Sequence, residues 1–511
     1  MERKMQGASL LLFLCLFLCS WSCTVEMVNG QRQEQQQEER QHQLQQRSCR
    51  VQSLRAQQPS ETIRSEAGIV ELSTRQENDE LDCAGVEFIR ETIERDGLSL
   101  PRYANTPKLA YIVEGEGRLG VVFPGCPETF RRPPFGAGHG EKECQGRSTR
   151  GGRQGERGEE EEERGSREEE SVRHERERAR EESSQKVRRV QSGDVVAIFA
   201  GAAYWWYNDG DKPLRIVAIA DSSNHQNQLD RSYRPFYLAG SSATRERRER
   251  LGEGERMGGN ILAGFDPNTL AEAWGVRKET VKDIQENNQG RGLIVRVNEP
   301  RGRRAAAADF QVEENEIDST NGNGLEQLFC NMRLRHNADR PEEADVYVRD
   351  GGRLNTVNRF KLHALNHLNM AAERGVLRPG AMCVPSWLSC HAIVYATRGE
   401  ARIQVVENRG RKVFDGSIRE GQFIVIPQFY AVVKRAGDQG FDWITFTTSH
   451  SPIRSSLAGR NSVLKAMPEE VVMNAYNISC REAHQLRWNR EHEFLIMPPR
   501  REQYEGGRAA Q

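Results

Sequence analysis

Leu109-Ala-Tyr-Ile-Val-Glu-Gly-Glu-Gly117 and His391-Ala-Ile-Val-Tyr-Ala-Thr-Arg-Gly399 are two versions of one pattern, an apolar strand that closes on glycine. Each is followed by a second apolar stretch, Gly193-Asp-Val-Val-Ala-Ile-Phe-Ala-Gly201 in the first half and Gly421-Gln-Phe-Ile-Val-Ile-Pro427 in the second. Glycine suits a tight turn because it has no Cβ. Short strands between glycine and proline turns, occurring twice, predict a mainly β protein with two jelly-roll β-barrels.

The two copies differ in one long insertion. Gly115 and Gly193 are 78 residues apart, whereas Gly399 and Gly421 are 22 apart. The surplus coincides with residues 131–189, a segment of alternating and like charges with almost no apolar face. Such a segment cannot join a core, so we predict a solvated charged loop; a salt-bridged single helix is the alternative. Residues 241–260 are predicted to be a second variable charged loop.

Composition argues against several classes of protein. The 511 residues are long enough for two or more domains, and their formal net charge is only −1. We therefore expect no nucleic-acid partner and no stable membrane association. Of the 73 basic residues 62 are arginine, the most nitrogen-rich side chain. One interpretation is an Arg-biased surface; the other is that the protein's amino acids are themselves what it supplies.

The amino terminus reads as a secretory signal over residues 1–30. Arg3 and Lys4 precede an apolar run at residues 10–19 that is too short to span a membrane. Residues 31–48 are rich in glutamine and arginine and are predicted to be disordered. A secretory route permits disulfides among the eight remaining cysteines, whose pairing spacing alone cannot decide.

Between the two copies lies Asn321-Gly-Asn-Gly-Leu-Glu-Gln-Leu-Phe-Cys330. Asn-Gly pairs favour a surface turn, and the Arg- and Ala-rich linker before them has no periodic apolar face. A protease could cut here without breaking a fold. A cut after Asn323 would separate 293 residues of net charge −7, counted from Gln31, from 188 residues of net charge +6. We expect such a cut to fall between the domains, so that each barrel keeps its own core.

This junction and the sequence after it, Asn331-Met-Arg-Leu-Arg-His-Asn337, closely resemble the processing site of the 11S globulins, the legumin-type seed storage proteins. The repeated strands resemble the double cupin fold of that family. The resemblance implies a non-enzymatic nutrient reserve that passes through the ER to the protein storage vacuole. It implies cleavage between Asn323 and Gly324 by an asparaginyl endopeptidase, with homotrimers of the precursor and hexamers after processing. Many members of the family are food allergens.

The resemblance also implies two disulfides and an arrangement of domains. The bridges would be Cys49–Cys83 within the first chain and Cys126–Cys330 across the cut. The remaining cysteines are predicted to be free and mostly buried thiols: Cys144, Cys383, Cys390 and Cys480. The predicted segments are the signal peptide 1–30, a disordered stretch 31–48, cupin domain 1 with its helical arm 49–300, the processed linker 301–324, cupin domain 2 with its helical arm 325–498, and a disordered tail 499–511.

Helical arms are predicted after each barrel, and the family uses such arms to assemble trimers. In the first arm Leu270, Trp274, Val281 and Ile284 follow Asp266-Pro-Asn268 at helical spacing. In the second arm Pro468 is predicted at the first helical position, and a later helix is predicted to begin at Ser479 with Glu482 as its capping-box partner.

Neither barrel is predicted to hold a metal or a cofactor, and no catalytic residue is assigned. Metal-dependent cupins bind through His-x-His, a glutamate and a later histidine, donors that suit Mn, Fe, Cu or Zn. The matching positions hold no histidine or carboxylate: Lys108 and Tyr204 in the first copy, and Ser386, Leu388, Ala392 and Val432 in the second. The alternatives are a metal-dependent double-cupin enzyme of the oxalate decarboxylase kind and a carbohydrate-binding double cupin using Trp205 and Trp206.

Two further motifs have plainer explanations. His363-Ala-Leu-Asn-His367 lacks the glutamate that a metalloprotease needs after its first histidine, so an ordinary histidine pair is favoured. Asn477-Ile-Ser479 is a glycosylation sequon, but its serine competes as a helix cap. Asn477 is therefore only a possible glycosylation site.

Overall fold

A computed structural model describes residues 49, 51–123, 187–240, 259–286, 291–297 and 332–499. The predictions for the signal peptide, for residues 31–48, for the processed linker and for residues 500–511 lie outside this set. So do most of the two charged loops and three of the cysteines discussed above, Cys126, Cys144 and Cys330.

The described chain is mainly β, as predicted, and its strands fall into two barrels. The strands of the first barrel are β1 (Glu61–Ser65), β2 (Gly68–Ser73), β3 (Val86–Ile93), β4 (Gly97–Ala104), β5 (Lys108–Glu114), β6 (Glu116–Val122), β7 (Val187–Gln191), β8 (Asp194–Ile198), β9 (Ala203–Tyr207), β10 (Leu214–Asp221), β11 (Pro235–Tyr237), β12 (Ile294–Arg296) and β13 (Arg335–Asn337). The strands of the second are β14 (Val346–Val348), β15 (Gly352–Val357), β16 (Ala371–Leu377), β17 (Met382–Leu388), β18 (Ala392–Val406), β19 (Lys412–Arg419), β20 (Phe423–Ile426), β21 (Ala431–Thr447), β22 (Arg454–Ser456) and β23 (Ile496–Met497).

Two antiparallel sheets form the first barrel. One has the strand order β1-β2-β3-β10-β5-β8-β13, and the other has the order β11-β4-β9-β6-β7, with β12 also paired to β4. All five residues of β8 are buried, and seven of the eight in β10 are. Such continuous burial means that these strands are covered on both faces, so this sheet packs on something beyond its own barrel interior.

The second barrel is built around two long strands, β18 and β21, within one ten-stranded sheet. They pair along their length, with register shifts on both sides of Gly399. Gly399 has φ of 72°, and a Cβ there would lie 2.3 Å from the Gly440 carbonyl oxygen. The predicted strand therefore does not close at Gly399: it bends at a bulge and continues around the barrel. In the first copy the left-handed glycine is Gly115, between β5 and β6.

The two barrels pack face to face through a shared apolar core. The Phe88 ring on β3 stacks on the Phe423 ring of β20, with centroids 4.3 Å apart, and Tyr395 on β18 stacks on Phe88 at 5.7 Å. Phe88 and Phe423 are fully buried, and one continuous cluster of buried side chains joins β3, β5 and β10 to β18, β20 and β21. The buried second face of the first barrel's sheet is thus explained by the second barrel.

The barrels also exchange segments of chain. β13 follows the predicted cut, yet it pairs with β8 of the first barrel in register Arg335↔Val196. In return, residues 51–57 at the amino terminus lie on the second barrel, where the Gln57 and Phe423 backbones exchange two hydrogen bonds of 2.8 Å. The expectation that each barrel keeps its own core is therefore wrong, because sequence order did not reveal these long-range pairings.

A disulfide joins Cys49 to Cys83, the pair that the family resemblance implies, with Cα atoms 4.4 Å apart. Cys83 lies on the helix α1 (Asp79–Ala84) of the first barrel. The bridge therefore attaches residues 51–57, which lie on the second barrel, to an element of the first. The covalent link and the strand pairing hold the same segment from its two ends.

Helices follow each barrel, as predicted. The first arm contains a 3-10 turn (Ile261–Gly264), α2 (Pro267–Trp274) and α3 (Lys278–Glu286); the second barrel has a 3-10 turn (Pro341–Glu343), the short α4 (Leu365–Leu368), and an arm of α5 (Val463–Ala466), α6 (Glu469–Tyr476) and α7 (Cys480–Trp488). The capping box of Ser479 and Glu482 is present, and Asp266 caps α2. Pro468 was predicted as the first helical residue of α6, but it lies one position earlier, as the N-cap residue. Within the described residues, every helix is too short or too polar to cross a membrane.

We predict that Phe88→Ala lowers the free energy of unfolding by about 3–5 kcal/mol, the usual cost of deleting a buried phenylalanine ring. Because the ring serves both barrels, calorimetry should show the thermal transition of both halves moving down together. The matched control is Phe360→Ala, whose ring is 71% exposed and should change stability by less than about 0.5 kcal/mol. A variant that melts in two steps, with one half unchanged, would show that the barrels are independent.

Candidate functional site

In the first barrel, the positions that would bind a metal in a cupin enzyme meet in the interior. Lys108 on β5 and Tyr204 on β9 are both fully buried, and the lysine Nζ lies 3.3 Å from the tyrosine hydroxyl. The two positions that the sequence analysis matched to metal ligands of cupin enzymes are therefore neighbours in the fold. Their chemistry is that of a cation and a phenol rather than of metal ligands.

A buried carboxylate completes this group. Glu91 Oε1 on β3 accepts a hydrogen bond from Lys108 Nζ at 2.8 Å and one from the Arg102 guanidinium at 2.5 Å. Arg102 also donates to the Tyr204 hydroxyl at 3.0 Å and to the Ser99 hydroxyl at 3.1 Å. These five residues form what we call the interior ion network.

The ion network is held in its charged form by mutual attraction. Burial opposes ionisation of Glu91, but the adjacent charges of Arg102 and Lys108 and their hydrogen bonds outweigh it and lower the pKa of Glu91 to about 2. Both cations also lie 5.1 Å from the centre of the Tyr204 ring. With two cations and one carboxylate, the network would repel a divalent metal, so the donor set does not fit one.

Sequence reasoning missed Glu91 and Arg102. Each lies in a strand, and each is buried where alternation alone would predict an apolar residue or a solvent-facing charge. A charged residue at an inward position of a strand was the available signal. It could not identify the partners, because Glu91 meets Arg102 and Lys108 only once three strands are folded together.

In the second barrel the four matching positions also converge. Ser386 on β17 is directly opposite Val432 on β21, and Leu388, Ala392 and Val432 line one small cavity of about 10 Å³. The Arg454 guanidinium donates a hydrogen bond to the Ser386 hydroxyl at 3.3 Å and another to the Glu373 carboxylate at 2.5 Å. Neither histidine nor carboxylate lines this cavity, so it lacks the ligands of a cupin metal centre.

The other sequence candidates are placed apart from these interiors. Trp206 is fully buried, which prevents it from stacking on a sugar, and the Trp205 ring packs closely over Gly120. His363 is exposed, while His367 packs against Phe199 with ring centroids 5.7 Å apart. Among the described residues, one group has metal-ligand geometry, Cys49, Cys83 and His391, and its two cysteines are joined in the disulfide.

Asn477 and three cysteines complete the account of the predicted sites. Asn477 is exposed, but the hydroxyl of Ser479 in its sequon is engaged with Glu482 in the capping box. Cys383 and Cys390 are free and buried, and burial raises the pKa of each thiol to about 11. Cys480 is free and exposed. Asn323 and Gly324, like the Cys126–Cys330 pair, lie outside the described residues.

We predict that Glu91→Gln destabilises the fold by about 3–5 kcal/mol at neutral pH, because Arg102 and Lys108 lose the carboxylate that neutralises them. The control is Glu114→Gln, which breaks a half-exposed surface pair with Arg215 and should cost about 0–1 kcal/mol. Chemical denaturation measures both. Equal effects would mean that the network contributes nothing specific.

The difference in stability between wild-type protein and Glu91→Gln should depend on pH, as chemical denaturation can measure. Since the pKa of Glu91 is lowered on folding, its contribution is present above the unfolded value of about 4.5 and is lost as pH falls towards 2. Wild-type protein should therefore lose more stability than Glu91→Gln over that interval.

Comparison with known proteins extends over both barrels. The family model described as Cupin matches residues 54–243 and 336–484. The 11S globulin seed storage protein 1 of Carya illinoinensis is 38% identical over 490 residues, covering 88% of this chain and 90% of that protein. The 11S globulin seed storage protein Ana o 2.0101 of Anacardium occidentale is 38% identical over 462 residues, covering 88% and 93%. Among solved structures, procruciferin, an 11S globulin from Brassica napus, superposes with a TM-score of 0.70 at 34% identity, covering 89% of this chain and 99% of that one.

Proposed function

The chain belongs to the 11S globulin family of seed storage proteins, and from that premise we propose how it is processed, assembled and stored. Its function is that of a nutrient reserve, in which the amino acids themselves are the product. The named relatives are storage globulins, which are not enzymes. The observation that carries this conclusion is the likeness over 88% of the chain, through both barrels.

The composition and the interiors agree with storage. The full sequence contains 62 arginines, which are rich in nitrogen, and 11 cysteines and 10 methionines, which contain sulfur; eight of the cysteines follow the signal peptide. The ion network fills the first barrel where an enzyme would need an open metal site. A reserve protein needs no reaction centre, and two cations around one carboxylate do not offer a metal one.

The precursor is cut once, between Asn323 and Gly324, by an asparaginyl endopeptidase. The arrangement of the described residues supports tolerance of that cut. The cut falls between β12 and β13, yet β13 is held by its pairing with β8, and residues 51–57 are held on β20. Cleavage therefore removes chain continuity without removing any of these contacts.

A disulfide between Cys126 and Cys330 then joins the two chains. Its cysteines lie just beyond two residues that pack on the same core: Phe123, which follows β6, and Met332, which precedes β13. The Arg188 side chain of β7, the neighbour of β6, donates to the Met332 carbonyl oxygen at 3.4 Å. The packing of Phe123 and Met332 on one core supports the proposed interchain bridge.

Assembly into trimers, and into hexamers after cleavage, would cover the helical arms. The exposed large apolar residues of the described chain include a group on each arm, whose members are Phe265, Trp274, Val276 and Ile284 on the first and Met467, Val471, Tyr476, Leu486 and Trp488 on the second. Clusters of this kind mark interaction surfaces. The proposed occupant is a second copy, so that the first arm of one protomer meets the second arm of another. The predicted amino-terminal signal, together with the family, supports a secretory route that ends in the protein storage vacuole.

Protein from mature tissue tests the processing and the assembly together. On a denaturing gel the non-reduced protein should run as one species, and reduction should release an acidic chain beginning near Gln31 and a basic chain beginning at Gly324. In sedimentation the uncut precursor should be a trimer and the cut protein a hexamer.

Two neighbouring variants sharpen the mapping. Asn323→Gln should block cleavage by the endopeptidase, because it removes the asparagine at the proposed cut. Asn321→Gln should leave cleavage intact. It is a matched control, since both sites are Asn-Gly bonds two residues apart. A basic chain with another amino terminus, chains that separate without reductant, or cleavage blocked only by Asn321→Gln would refute the proposal.

A further inference from the structure

An open depression in the second barrel has much more room than the small cavity beside it. It holds about 170 Å³, on the order of ten times the space that one water molecule needs, and it is partly open to solvent. Its wall is largely apolar and is formed by side chains such as Val346, Leu354, Leu388 and Leu495. Such a space fits a small organic molecule with an apolar body, provided that the polar groups of the depression find partners.

A row of three polar side chains lines the depression. Thr356 on β15 is paired with Glu373 on β16, and Glu373 is paired with Thr445 on β21. Residues directly opposite each other in a sheet project from the same face. Leu354 and Trp443 lie two positions from Thr356 and Thr445 along their strands, so they share this face, and both belong to the second barrel's own apolar core. The row therefore faces the interior of the second barrel.

Two atoms of this row are buried without a hydrogen-bond partner among the described residues. They are the Thr445 hydroxyl, on a residue that is 2% exposed, and Glu373 Oε1, on a residue that is 8% exposed. The other Glu373 oxygen accepts a hydrogen bond from the Arg454 guanidinium. Buried polar atoms are costly when they remain unpaired, so a ligand group that bonded to them would be favoured.

One hydroxyl group can serve both atoms. The Cβ atoms of opposite residues in an antiparallel sheet are about 5 Å apart, so one ligand atom can contact both the Glu373 and the Thr445 side chains. A carboxylate oxygen only accepts hydrogen bonds, so its partner must carry a donor, whereas the threonine hydroxyl can donate to that same partner. A hydroxyl group donates and accepts at once.

The surrounding charges select a neutral ligand. A carboxylate ligand would meet Glu373 without a proton to donate to it. A cationic ligand would meet Arg454, which is bonded to Glu373, and Lys434, whose charge also acts on that carboxylate. Asp345, the other acid of the lining, is already paired with Lys361 at 3.0 Å. An uncharged ligand avoids the cost of bringing another charge into this partly buried space.

We propose that the depression of the second barrel binds a small neutral alcohol. The hydroxyl of the alcohol donates a hydrogen bond to Glu373 Oε1 and accepts one from the Thr445 hydroxyl. The apolar body of the alcohol lies against Leu354, Leu388 and Leu495. This binding is separate from the storage function and does not depend on processing.

The test uses the full assembled protein with cyclohexanol as the probe, followed by saturation-transfer difference NMR. Cyclohexanol should bind saturably at millimolar concentrations. Cyclohexanone has a ring of the same size and can accept a hydrogen bond from Thr445, but it has no donor for Glu373. It should therefore bind at least about tenfold more weakly, because a buried carboxylate oxygen stays unpaired.

Thr445→Val keeps the shape of the side chain and removes a hydroxyl that has no partner among the described residues, so the variant should fold normally. It should weaken cyclohexanol binding by about threefold to tenfold, the effect of losing one neutral hydrogen bond. Thr445→Ser, which retains the hydroxyl, should retain the binding. The matched control Thr62→Val changes an exposed threonine of β1 and should bind as wild type.

A second variant keeps the test decisive if Thr445→Val fails to fold. Leu354→Phe retains the polar row and fills the depression from its apolar wall, so it should abolish saturable binding. The proposal is overturned by no saturable binding of cyclohexanol to wild type, by equal binding of cyclohexanone, or by undiminished binding to either folded variant.

Discussion

The stacking of Phe88 on Phe423, at the centre of an apolar contact between two sheets, is the interaction on which the rest of the structure depends. It turns two barrels into one body with a shared core. Because that core includes residues from both sides of the proposed cut, the segments 51–57 and β13 can each lie on the barrel of the other half. Burial of large apolar side chains dominates folding, so the shared core stabilises the whole chain rather than one domain.

The two barrel interiors show what can occupy the positions that bind a metal in cupin enzymes. In the first, Glu91, Arg102 and Lys108 satisfy one another, and removing the carboxylate would leave two buried cations. In the second, three of the matching positions hold Leu388, Ala392 and Val432, which line a small cavity of about 10 Å³. A buried ion network is not inherently more stable than apolar packing, but breaking it is costly. Neither interior offers the donors of a metal centre, and a storage function requires none.

Local features of this fold could be predicted from the sequence, and long-range ones could not. The strands around Leu109 and Val394, the cap at Asp266 and the capping box at Ser479 depend on neighbours in sequence, and the structure contains them. The pairing of β13 with β8 sets Arg335 opposite Val196 and brings its guanidinium to Asp194, 141 positions away in sequence. No periodicity indicates such a partner. Glu91 was missed for the same reason, since its role appears only when β3, β4 and β5 meet. Gly399 was recognised as special, but the bulge that carries β18 past it depends on Gly440 in a distant part of the strand β21.

The central claim is that the two halves are held by this shared core, not chiefly by charge or by a disulfide. The most direct measurement is sedimentation of protein cut after Asn323, fully reduced and without denaturant, in about 1 M salt, where the Debye length is about 3 Å. The attraction between halves of net charge −7 and +6 is then largely screened. The account predicts one particle that contains both chains, as before reduction. Separation into an acidic and a basic chain under these conditions would contradict it.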